Sequence, residues 1–144
     1  MKAILAFVVV LLMFVLVIPI NAGGKGELQK HFSNVANKVK ATENAAEKRA
    51  ILENSFRDMS EALDKVQSSF LVSKEDKDGI ENLKATLKEN RDELAGINGY
   101  ERVPDSQLNS FSNYVVQNME QADSTITISV VALVLIILLV VLLL

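Results

Sequence analysis

Ile51-Leu52-Glu53-Asn54-Ser55-Phe56-Arg57-Asp58-Met59-Ser60-Glu61-Ala62-Leu63-Asp64-Lys65-Val66-Gln67-Ser68-Ser69-Phe70 is the stretch whose pattern decides the fold. Leu52, Phe56, Met59, Leu63, Val66 and Phe70 follow one another at steps of 4, 3, 4, 3 and 4. Helical geometry of 3.6 residues per turn sets these six side chains on one face, and charged or small polar residues take the other. A strand would need alternation with period two, and no segment of the chain alternates convincingly. The stripe reads as a helix-packing face within one chain. Its second reading is a partner face, used for self-association as a coiled coil.

The same period extends on both sides. Leu28, Phe32, Val35 and Val39 mark a shorter amphipathic helix that breaks at Thr42-Glu43-Asn44. Asn44 with Glu47 three residues on has the spacing of a capping box, in which side chains satisfy the free N–H groups of a helix start. Ser73 with Asp76 repeats the spacing, and Glu75, Asp76 and Asp78 suit the positive end of a helix dipole. Ile80, Leu83, Leu87 and Leu94 then continue along a third helix. Gly96-Ile97-Asn98-Gly99 is a stop signal, because glycine takes the left-handed conformation beyond a helix without steric cost. A connector through Pro104 leads to Asp105 or Ser106 as a cap. The last amphipathic helix carries Leu108, Phe111, Val115, Met119 and Ala122. No Gly or Pro lies between Gln107 and Leu144, so this helix is expected to run on unbroken. Short connectors favour antiparallel neighbours.

Both ends of the chain are apolar. Lys2 followed by Ala3 to Ile18, the helix breaker Pro19, and Ile20-Asn21-Ala22 together match a secretory signal peptide over residues 1–22. Cleavage is expected between Ala22 and Gly23; the rival reading is an uncleaved anchor. At the other end, Ile126 to Leu144 contains no charge and only the hydroxyls of Thr127 and Ser129. A helix over that stretch would be about 28 Å long, close to the hydrocarbon thickness of a bilayer. A transmembrane helix is therefore expected over 125–144. A lipid-anchor signal at Ala122-Asp123-Ser124 is an alternative, although its spacer is short.

Between these ends, residues 23–124 hold four of the six Phe, both Tyr and no Trp, so any core is thin in aromatics. With Lys2 set aside, 14 Lys and Arg stand against 18 Asp and Glu in that segment, and their signs are interspersed. This argues against a nucleic-acid surface. Cysteine is absent, which excludes disulfides, thiolate catalysis and cysteine metal sites.

Catalytic patterns are missing as well. His31 is the only histidine and has no second His or Cys to share a zinc ion; it reads as a boundary side chain. Asp76-Lys77-Asp78-Gly79 lacks a calcium loop's two anchoring acids, since Lys74 and Ala85 stand at those positions. Gly23, Gly24 and Gly26 form no phosphate loop, and no Asn-x-Ser/Thr acceptor occurs in residues 23–124.

The expected fold is all-α: a small antiparallel bundle of three to four amphipathic helices followed by one C-terminal transmembrane helix. The expected role is non-enzymatic, with no cofactor, no small-molecule substrate and no metal. The protein would be a single-pass membrane component whose helical domain lies outside the cytoplasm, in the periplasm or at the cell surface. Its partners would be the lipid bilayer and a protein partner or a second copy. A different class of function is membrane remodelling or permeabilisation with both apolar ends kept as spans, and a third is a lipid-anchored surface coat.

Overall fold

The computed structural model describes residues 26–70, 72–125 and 128–143. The expected signal segment 1–22, with its Ala22–Gly23 cleavage point, lies outside them. The described residues form five α-helices and no strand: α1 Glu27–Ala41, α2 Ala45–Gln67, α3 Lys74–Ala95, α4 Leu108–Thr125 and α5 Val130–Leu143. One turn of 3-10 helix, Asp105–Gln107, leads into α4.

Local chemistry accounts for the boundaries. Asn44 is extended and its side chain accepts the backbone N–H of Glu47, which starts α2. Ser73 does the same for the N–H of Asp76 and starts α3. Gly96 ends α3 at φ 72°, where its N–H reaches the Asp92 carbonyl at 2.8 Å. A Cβ at Gly96 would lie 2.5 Å from the backbone nitrogen of Arg102, so close approach of two chain segments requires glycine there as much as the dihedral does.

The apolar faces read from the sequence meet in one core. Leu28, Phe32, Val35 and Val39 of α1 are buried, as are Ile80, Leu83, Leu87 and Leu94 of α3 and Leu108, Phe111, Val115, Met119 and Ala122 of α4. α1 packs along α4, and α2 packs against α1, α3 and α5. Three phenylalanines join three helices. Phe56 of α2 lies 6.1 Å from Phe32 of α1 and 6.5 Å from Phe111 of α4, the latter pair edge to face.

Arg49 clamps the long connector. Its guanidinium, largely buried, donates to the Leu94 carbonyl at 3.0 Å, the Val103 carbonyl at 2.7 Å and the Asp105 carboxylate at 2.9 Å. Two of these acceptors are backbone carbonyls, one in the last turn of α3 and one in the connector, so the side chain satisfies groups that helix geometry leaves open.

The C-terminal stretch departs from expectation. α4 does not run on through residue 129: it ends at Thr125, and Ser129 is non-helical before α5 begins. Thr125-Ile126-Thr127-Ile128 is a run of four β-branched residues, the class that loses most side-chain freedom in a helix. Ser129 then caps α5, with its Oγ accepting the N–H of Ala132 at 3.2 Å. α5 is 14 residues, about 21 Å long, and packs mainly on α2. Among the described residues no helix is long and apolar enough to cross a membrane.

Candidate functional site

α5 differs from the other four helices in having no polar side chain from Val130 to Leu143. Ala132, Leu133, Ile136, Leu138 and Val140 are buried in the bundle. Val134, Leu135, Ile137 and Leu139 are half-buried, while Val141 is 58% and Leu142 47% exposed. The outward face is thus as aliphatic as the inward one. An amphipathic helix on a bundle turns polar groups to water; one apolar all round is suited to full burial or to lipid.

A polar latch holds the start of this helix. The Asp76 carboxylate accepts from the backbone N–H of Ser129 at 2.7 Å and from its hydroxyl at 2.8 Å. Asp76 is buried in the first turn of α3. Burial opposes its ionisation, but the bonds from Ser129 and Ser73 outweigh it and hold the carboxyl below its usual 3.8. One carboxylate therefore serves two helix starts, where the dipoles of both favour negative charge.

Beyond the far end of α5, the seam between α1 and α2 opens into a cleft of about 600 Å³. Val35, Ile51, Val140 and Val141 give it apolar walls; His31, Lys38, Ser55 and Asp58 bring polar groups. That α5 begins beside Asp76 and ends beside Ile51 shows that it runs antiparallel to α2. Two polar atoms at the cleft are buried without a hydrogen-bond partner, His31 Nε2 and Ser55 Oγ. The His31 ring sits edge-on to Phe32 at 5.1 Å. Burial lowers its pKa from 6.5, and the Lys38 charge adds to that against the opposing pull of Asp58, so the ring is neutral at pH 7.

The heptad stripe lies elsewhere. Leu52, Phe56, Met59, Leu63 and Val66 are at most 2% exposed, so the closed bundle already occupies this face. Phe70 is not with them. It follows the end of α2 in the α2–α3 connector and is 92% exposed. Ser68 takes the C-cap position, which ends the helix one step before the period would bring Phe70 inward.

Three contributors to the site were not legible as such in the sequence. Ser55 and Asp58 flank the stripe on a side of α2 whose sequence is that of a solvated face, and it is buried because α5 packs there. Asp76 was legible as a cap for its own helix, but its bond to Ser129 spans 53 positions and has no local signal. Among the described residues no group of three His, Asp or Glu side chains converges to hold a metal ion. Compared with protein-family models, curated proteins and solved structures, the chain matches none.

Proposed function

We propose that this is a non-enzymatic, membrane-attached helical-bundle protein whose polar body lies outside the cytoplasm and works by contact with a protein partner or a second copy. One observation carries the reading: α5 presents aliphatic side chains on every side, including the face that the bundle leaves open. Fourteen docked residues are too short to span, but helix over 126–144 would cover about 28 Å and reach across the hydrocarbon. The helix then has two homes. Docked, it completes the bundle; released, it serves as the transmembrane anchor expected from its sequence. The apolar segment 3–18 fits an export signal that brings the domain to that membrane. Attachment also confines the protein to two dimensions, where weak contacts suffice for association.

The chain contains no tryptophan, so a single Ile137→Trp reports on α5 without background. Added to vesicles whose acyl chains carry bromine, the full chain should show a blue-shifted emission quenched most by bromines deep in the bilayer. An unshifted, unquenched spectrum in vesicle-bound protein would mean that α5 stays docked and that another segment makes the attachment.

A further inference from the structure

We infer that the cleft between α1, α2 and the end of α5 binds an uncharged single-chain amphiphile, its hydrocarbon along Val35, Ile51, Val140 and Val141 and its hydroxyl between His31 and Ser55. The volume, about 600 Å³, falls within the roughly 300–1,000 Å³ usual for small-molecule sites. Such sites pair apolar walls with a few convergent polar groups, and this cleft has both. Ser55 is only 9% exposed, and its Oγ has no partner on the protein; the same holds for His31 Nε2 on the neighbouring helix. Buried polar atoms are nearly always paired, so two orphans lining one cleft point to a group that completes them.

The chemistry of that group follows from the charges around it. Lys38 and Asp58 both line the cleft and oppose each other. A carboxylate headgroup would face Asp58, and an ammonium would face Lys38. A neutral hydroxyl meets neither penalty. It also donates and accepts at once, which matches an imidazole nitrogen on one side and a serine hydroxyl on the other. The source is the chemistry of a monoacylglycerol or a fatty alcohol, not of a free fatty acid. The inference stands on the docked bundle alone and does not need α5 to enter a bilayer.

His31 is the only histidine, so labelling that residue type gives one imidazole signal set from the full chain. With the full chain in lipid-free buffer, where α5 stays docked, titration with monolauroylglycerol below its micellar concentration should move the His31 Nε2 resonance saturably. Laurate and dodecyltrimethylammonium should bind at least tenfold more weakly, and glycerol should leave the resonance unmoved. Ser55→Ala, which removes only one buried hydroxyl from α2, should weaken monolauroylglycerol at least fivefold with helicity retained. Ile51→Trp, which fills the cleft from a half-buried position, should abolish the response. A resonance that does not saturate would overturn the site, because water alone would then complete the two orphans. Equal binding of all three amphiphiles, or unchanged binding by Ser55→Ala, would overturn the assigned chemistry.

Discussion

Replacing Asp76 by Ala should loosen α5 before any other helix. The carboxylate makes two short hydrogen bonds to Ser129, at 2.7 and 2.8 Å, and Ser129 in turn caps α5. Hydrogen bonds to a charged group contribute about 1.5–3 kcal/mol each when well shielded. Asp76 lies at a helix start where water can replace part of the loss, so the pair is worth about 2 kcal/mol in total. At 1.4 kcal/mol per decade, that is roughly a 30-fold increase in the local opening of α5. Amide hydrogen exchange measures it directly: protection should fall at Ala132 to Val140, while the amides of α1 and α2 keep theirs. Ser129→Ala alone should act in the same direction. The double variant should then cost less than the sum, since the two side chains share one contact. Uniform loss of protection in all helices, or additive single effects, would falsify the latch. The same bond predicts a pH dependence. Because the folded state holds the Asp76 carboxyl below 3.8, its stabilisation is present above that value and disappears as pH falls through the lowered pKa. α5 should therefore lose protection in acid earlier than Asp76→Ala loses what remains of its own.

Two further outcomes test the fold and the cleft. Gly96→Ala should lower stability in urea by about 3 kcal/mol, from the left-handed dihedral plus the collision with Arg102, whereas Gly99→Ala, with equally positive φ but open space, should cost only about 1 kcal/mol; equal losses would show that no close approach exists at Gly96. His31 has a folded pKa below its ordinary 6.5, so the unfolded chain binds the proton first and stability should drop as pH falls from 7.5 towards 5, a drop that His31→Gln should remove; an unaltered slope in that variant would place the ring in water.

Much of the bundle was legible locally because helix period, caps and stops are local physics. The stripe from Leu52 to Val66 needed only the 4-3 spacing, and its burial follows from the absence of any other way to hide five large side chains. Asn44, Ser73 and Gly96 act within four residues of themselves, and each marks the boundary it seemed to mark. Phe70 shows where this stops. Spacing placed it with the stripe, but the helix ended at Gln67, and a periodicity argument carries no information past a helix end. The unbroken helix expected after Gln107 failed for a related reason. A stretch free of Gly and Pro can still hold a helix start where a serine caps, as Ser129 does for α5.

Composition and period thus determined a helical bundle over the described residues, most of the core of α1 to α4 and the apolar character of both ends. These depend on transfer of side chains from water and on backbone geometry, which act residue by residue. Where α5 lies was decided only by the tertiary structure. Its sequence, apolar on every side, suits a protein groove and a bilayer equally, since neither demands a polar face. The bundle supplies what tips the choice in the folded chain: an open side of α2, and a buried carboxylate from α3 aimed at the N–H and hydroxyl of Ser129. The cleft, with its unpaired His31 and Ser55 atoms, exists because three helices distant in sequence meet there.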